Sequence, residues 1–173
     1  MKKAIPILLC AATLVTAQLA TRRAPGFCLS DTTGQWRDLA DYRGKVVIVE
    51  FMQTTCAHCA TFTPVLVDLA KKYGDKLQVL SIALSPDSPQ TMMQFVKGHN
   101  LTWPLLLDQG QVAASYVRKG GIEFPTVYLV DRNGMIANSW EYGGLTKDVF
   151  EGPRLAHEVE KLMTSASAPA NKK

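Results

Sequence analysis

The sequence predicts an α/β domain built on a mixed sheet, and three observations carry that reading. Lys45 to Met52 and Leu77 to Leu84 are nearly continuous β-branched and aliphatic runs, the pattern of strands covered on both faces. Between them Phe62, Leu66, Leu69, Ala70 and Tyr73 recur at helical spacing, and Gly74 stands where a helix would stop, which makes the stretch a βαβ unit with a parallel strand pair. Further on, Thr126 to Val130 and Met135 to Trp140 flank Asp131-Arg132-Asn133-Gly134, whose Asn-Gly is a hairpin signal, so the sheet closes antiparallel.

The chain has 173 residues, 47% of them hydrophobic, enough for one domain around one core. The net charge of +4 comes without a basic run beyond Arg22-Arg23 and Lys172-Lys173, which argues against nucleic acid as a partner. Met1-Lys2-Lys3 is a basic start, Ala4 to Val15 an apolar run, and Val15-Thr16-Ala17 a small-residue cleavage site, so residues 1–17 read as a signal peptide and the mature chain is expected to begin near Gln18. The rival is an uncleaved anchor from Ala4 to Ala20, a run shorter than the roughly 20 residues that span a bilayer. Cys10 follows Leu8 and Leu9 rather than the small residues of a lipoprotein signal, and leaves with the leader.

Residues 18–163 form the expected domain. Phe27 to Gly44 is polar, with turn signals at Asp31-Thr32-Thr33-Gly34, and reads as an N-terminal hairpin extension. Pro64 falls inside the first helix, where it removes a donor and predicts a kink. A second helix is expected from Pro89 to Gly98, a strand at Leu105 to Leu107, and a helix from Gln111 to Arg118. Gly152-Pro153 breaks the chain before an amphipathic helix with Leu155, Val159 and Leu162, and residues 164–173 read as a disordered tail.

Export would put the remaining thiols, Cys28, Cys56 and Cys59, in an oxidising setting. One close pair and one bystander do not make a disulfide framework. Cys56-Ala57-His58-Cys59 lies on the turn between a strand and a helix, where the first sulfur meets the positive end of a helix dipole and ionises more readily. Cys56 is therefore the expected nucleophile and Cys59, one turn further in, the resolving thiol of a dithiol exchange. The bland alternative, half of a zinc site, lacks a second close Cys/His pair.

His58, between the two thiols, either stabilises the Cys56 thiolate as an imidazolium, making the disulfide more oxidising, or faces solvent without consequence. Glu50 is an acid within the most apolar run, and needs a partner, a proton or an edge position that reaches water. Pro125, directly before a strand, is the candidate cis-proline, with an ordinary trans bond as the alternative. Thr54 or Thr55 is available to cap the helix. Cys28, between Phe27 and Leu29, reads as a buried small hydrophobe rather than an intermolecular thiol. His99 and His157 read as surface residues, and Trp36, Trp103 and Trp140 as core or edge packing.

The Asp41-Tyr42-Arg43-Gly44-Lys45-Val46-Val47 run, the Cys56/Cys59 pair, Pro64, Phe124-Pro125-Thr126 and Asp131-Arg132-Asn133-Gly134-Met135-Ile136, in that order, resemble the thioredoxin superfamily. The resemblance is to its exported TlpA/ResA-like branch, with the AhpC/TSA branch as neighbour. It covers about Phe27 to Leu162. It implies a three-layer fold with helices on both faces of the sheet. Glu50 would assist proton transfer at Cys59, and Phe124, Pro125 and Thr126 would form the substrate-binding segment beside the dithiol. The expected partners are protein or peptide disulfides and a membrane redox partner that resets the pair. The expected protein is a periplasmic or otherwise extracytoplasmic monomer with no cofactor and no metal.

Two departures from the family pattern narrow this. Thr55 and Phe62 stand where ResA-like reductases commonly have Trp and Glu, which argues against a role in cytochrome c maturation. Val49 and Gln53 stand where peroxiredoxins have Pro and Thr, which ranks an AhpC/TSA-type thiol peroxidase below dithiol exchange. A copper-binding metallochaperone ranks lower still. The sequence leaves the direction of electron flow open, since the TlpA-like frame points to a reductase and His58 to an oxidant.

Overall fold

The computed structural model describes residues 22–117 and 120–165. The leader at 1–17 and the last residues of the expected tail lie outside that range. Among the described residues seven strands and five α-helices follow in the order β1 (Cys28–Ser30), β2 (Trp36–Asp38), β3 (Val46–Met52), α1 (Ala57–Tyr73), β4 (Leu77–Leu84), α2 (Pro89–Gly98), β5 (Leu106–Asp108), α3 (Gln111–Tyr116), β6 (Thr126–Val130), β7 (Ile136–Glu141), α4 (Lys147–Phe150) and α5 (Pro153–Thr164). A five-stranded sheet has the order β5-β4-β3-β6-β7, and β1 pairs with β2 in a separate hairpin. The β3/β4 and β4/β5 pairs are parallel; the β3/β6 and β6/β7 pairs are antiparallel.

The two central strands are buried throughout because both sheet faces are covered. Val46 and Ile48 pack under α1 and α5 with Phe62, Leu66, Leu69, Leu155 and Val159. Val47, Val49 and Phe51 point the other way, into a layer with Phe27, Leu39, Ala113, Tyr116 and Tyr128 from the N-terminal segment, α3 and β6. Strand alternation therefore assigns Glu50, between Ile48 and Met52, to the face beneath α1.

The hairpin extension is pinned by Asp31, whose carboxylate accepts from the Thr33 and Gln35 backbone N–H groups, the Thr33 hydroxyl and Arg37 Nε. Burial raises the pKa of this acid, and the four donors more than offset it, leaving the group below its ordinary value. At the closing hairpin, Asp131 accepts from the Asn133 and Met135 backbone N–H groups, and Gly134 takes the positive φ of 75° that the turn requires.

Several expectations are corrected. Cys28 is exposed rather than buried, because it projects from the outer face of the hairpin while Leu29 turns inward. Trp36, opposite Ser30 on the same outer face, is 71% exposed and packs in no core, whereas Trp103 and Trp140 are buried. His99 is half-buried against Phe95 at a ring distance of 4.2 Å, not a free surface residue. Helix α1 is continuous from Ala57 to Tyr73 with Pro64 inside it. Helix α3 ends at Tyr116, and Arg118 lies outside the described residues. Helix α4, a single turn, was not expected.

Candidate active site

The site is built where three elements meet: the end of β3, the start of α1 and the segment ahead of β6. The chain leaves β3 at Met52 and turns through Gln53-Thr54-Thr55. Thr54 does not cap the helix. Its backbone N–H donates to the Asp87 carboxylate at 2.8 Å and its hydroxyl bonds the same group, which also accepts from Thr91 Oγ1 at the start of α2. Thr55 is exposed, and the cap is Cys56 itself.

Cys56 Sγ accepts from the Cys59 backbone N–H at 3.3 Å. Cap residues fill this role with an oxygen in most helices; here a sulfur sits at the positive end of a 17-residue helix, where negative charge is favoured. The same sulfur lies 3.6 Å from the Phe124 carbonyl oxygen, to which the thiol donates. The backbone amide thus suits the thiolate and the carbonyl suits the thiol. Cys56 is partly exposed, so a partner can reach it.

Cys59 is fully buried among Met52, Ala83, Met92, Phe95 and Leu105. Burial pushes its thiol far above the ordinary range, and a hydrogen bond to Cys56 and the nearby Glu50 charge push it further the same way. The two cysteines thus lie close together, one accessible and one not.

Glu50 is 2% exposed and central in the sheet, opposite Ser81 on β4 and Val127 on β6, so the edge-strand alternative does not hold. Its Oε2 accepts from Ser81 Oγ at 2.6 Å, and Ser81 Oγ accepts from Trp103 Nε1 at 3.1 Å. Oε1 is buried with no hydrogen-bond partner among the described residues. Burial raises the Glu50 pKa to about 7, with the Ser81 hydrogen bond pulling the other way.

The Phe124–Pro125 bond is cis, as is Ser85–Pro86, which carried no sequence expectation. Pro125 and Thr126 are buried, Phe124 is partly buried against two of the core clusters, and Thr126 Oγ1 donates to the Glu123 carbonyl. His58 is exposed and its imidazole stacks on Tyr142 rather than hydrogen-bonding to a cysteine. Among the described residues no group of three or more His, Cys, Asp or Glu side chains is placed to hold a metal ion.

The residues brought together are therefore Cys56, Cys59, Glu50, Phe124 and Pro125. Ser81, Trp103, Asp87 and Tyr142 were missed. Ser81 had a readable signal, since it and Glu50 are polar residues at matching places in two apolar runs. Trp103, Asp87 and Tyr142 reach the site through long-range packing that has no local pattern.

A buried thiol beneath an accessible one at a helix start, flanked by a cis-proline segment, on this sheet order, defines a thioredoxin-like dithiol protein. The chain belongs to the AhpC/TSA family, whose model matches residues 20–139, and within the thioredoxin superfamily it is ResA-like. It is 31% identical over 132 residues to the thioredoxin-like protein YneN of Bacillus subtilis (strain 168), covering 75% of each chain. It is 35% identical over 123 residues to the thiol-disulfide oxidoreductase ResA of Geobacillus thermodenitrificans (strain NG80-2), covering 70% of this chain and 68% of that one. The fold also matches the thioredoxin domain of a thiol-disulfide oxidoreductase from Bacteroides vulgatus, with a TM-score of 0.66 and 24% identity over 82% of this chain and 99% of that one.

Proposed function

We propose that this chain is an exported thiol-disulfide oxidoreductase whose Cys56/Cys59 pair exchanges two electrons with disulfides or dithiols of protein substrates. The observation that carries the reading is the sulfur of Cys56 capping α1, in reach of solvent, directly above a buried second thiol. In the reducing direction, the Cys56 thiolate attacks one sulfur of a substrate disulfide. The other substrate sulfur departs as a thiolate and takes a proton from water. Cys59 then gives its proton to the Glu50 carboxylate and attacks Cys56 Sγ, expelling the second substrate thiolate and leaving a Cys56–Cys59 disulfide. The substrate has gained two electrons and the dithiol has lost two. A dithiol partner of lower potential, held at the membrane in this reading, resets the pair; run backward, the same steps oxidise a substrate.

Burial makes Cys59 a poor thiolate former, which is why the second step needs a base, and Glu50 with a pKa near 7 changes protonation in the working range. The Phe124 carbonyl beside Cys56 gives an extended substrate segment an acceptor next to the reacting sulfur, with Pro125 and Thr126 forming the wall behind it. His58 is assigned a supporting role at Cys56 on its position between the two cysteines. The basic start, apolar run and small-residue site of residues 1–17 support an extracytoplasmic location, with the mature chain acting as a monomer.

The test is insulin reduction driven by a small dithiol, paired with peroxide turnover and copper titration. Turnover that disappears in Cys56→Ser and leaves a trapped mixed disulfide in Cys59→Ala supports the reading. Fast peroxide consumption, or stoichiometric tight copper with no reductase activity, overturns it.

A further inference from the structure

Three buried polar groups beneath α1 form a chain whose direction is set at one end by chemistry and at the other by the acceptor in reach. An indole N–H can donate and never accept, so at Trp103 Nε1 the direction is set. Ser81 Oγ accepts there, and among the described residues the one acceptor its single proton meets is Glu50 Oε2, 2.6 Å away. Oε2 therefore always faces a donor, whether Glu50 is charged or neutral. A proton arriving on Glu50 goes to Oε1, the buried oxygen with no partner among the described residues.

We propose that Ser81 and Trp103 are positioning residues for Glu50: together they commit Oε2 to accepting a hydrogen bond, and so make Oε1 the oxygen that takes the Cys59 proton and returns it. This rests on the reading that Glu50 serves Cys59. The ionisable groups facing Glu50 come from the start of α1, namely Cys59 and beyond it Cys56. The strand β4 presents Ser81, β6 presents Val127, and the loop before β5 presents Trp103, none of which ionises in this range. Trp103 also lines a surface cleft of about 240 Å³ together with Arg37, Tyr42, Gln78 and Pro104, while its Nε1 donates to Ser81. The shape of the ring and its N–H are thus separable: phenylalanine keeps an aromatic plug and removes only the donor.

The test uses the full mature chain and two readouts. The first is the infrared carboxyl C=O band of protonated Glu50, assigned by its absence in Glu50→Gln. With Oε2 as the hydrogen-bonded carbonyl, the parent band lies low and moves to higher frequency in Ser81→Ala. The second is the pH profile of mixed-disulfide resolution, whose midpoint moves up by about one unit in Ser81→Ala. Ser81→Thr, which keeps the hydroxyl, restores both, and Trp103→Phe gives a smaller change in the same direction. A band that does not rise and a profile that superimposes on the parent in Trp103→Phe and Ser81→Ala overturn the proposal while Glu50→Gln still alters resolution. If Glu50→Gln itself leaves resolution untouched, the role of Glu50 fails instead, and the infrared shift alone decides the polarity of the chain.

Discussion

The imidazole of His58 lies flat on the ring of Tyr142, centroids 4.0 Å apart and planes 20° from parallel. Tyr142 is itself held. Its backbone N–H donates to the Pro125 carbonyl at 3.0 Å, and its ring meets Phe150 at 5.4 Å, which in turn meets Phe62 of α1 at 5.1 Å. The residue between the two cysteines is thereby tied to the same segment that faces Cys56.

His58→Ala removes the imidazole that stands between the two cysteines and, if that ring supports the Cys56 thiolate, should lower the reduction potential by roughly 30 mV, the equivalent of ~1.4 kcal/mol. Alkylation of Cys56 at neutral pH should slow in parallel. Tyr142→Leu, which frees the imidazole, should give part of that change, and no further change in the His58→Ala background. Equilibration with glutathione measures the potential; identical values for parent and both variants would exclude His58 from the chemistry.

Glu50 links pH to stability. In the unfolded chain it ionises near 4.5 and in the fold at about 7, so the native state holds the proton more tightly between those values. The stability this contributes is fully present below the unfolded value and is lost as pH rises through the folded one. Glu50→Gln cannot ionise, so its stability relative to the parent should grow by of order 3 kcal/mol between about pH 4 and about pH 8. Urea unfolding at the two ends checks this, and a constant difference contradicts it.

The three described cysteines should separate by reactivity. Cys56 at the helix start should be alkylated fastest, exposed Cys28 at the rate of an ordinary thiol, and buried Cys59 only on unfolding. Mass mapping of a timed iodoacetamide reaction gives the order, with Cys28 as the internal standard. Equal rates at Cys28 and Cys56 would contradict activation by the helix.

Asp87 ties the loop ahead of Cys56 to the start of α2 through Thr54 and Thr91. Asp87→Ala strips a charged acceptor from these donors and should cost roughly 2 kcal/mol of stability. Because Thr54 stands two residues before Cys56, exchange should slow as well. Thermal unfolding and insulin reduction on the same variant check both effects; a loss of stability with undiminished exchange would mean that the loop does not hold the nucleophile.

Much of this was legible in the sequence for a physical reason. Strands buried on both faces write themselves as unbroken apolar runs, and so β3 and β4 could be read to within a residue; α2 was bounded by Pro89 and Gly98 as expected. The dithiol and Pro125 were legible because their chemistry needs fixed residue types at fixed spacing. What failed was whatever depends on the direction a side chain takes. Cys28 sits between two apolar neighbours in sequence, yet strand alternation turns it outward. Thr54 has the chemistry of a cap, but Asp87, 33 residues away, claims both its hydroxyl and its amide. The stack of His58 on Tyr142 joins residues 84 positions apart, and no local pattern announces it.

In most helices the group that finishes the first turn is inert, and here it is the atom that reacts. A thiolate at that position is a strong acceptor for the Cys59 amide, whereas the same sulfur in a disulfide has given up its negative charge and holds that amide more weakly. Each catalytic cycle should therefore weaken and restore this one hydrogen bond at the start of α1, so that the oxidation state would act as a ligand of the fold. By thermodynamic linkage, any change that steadies the opening turn in only one oxidation state must also move the midpoint potential, even when it lies far from either sulfur.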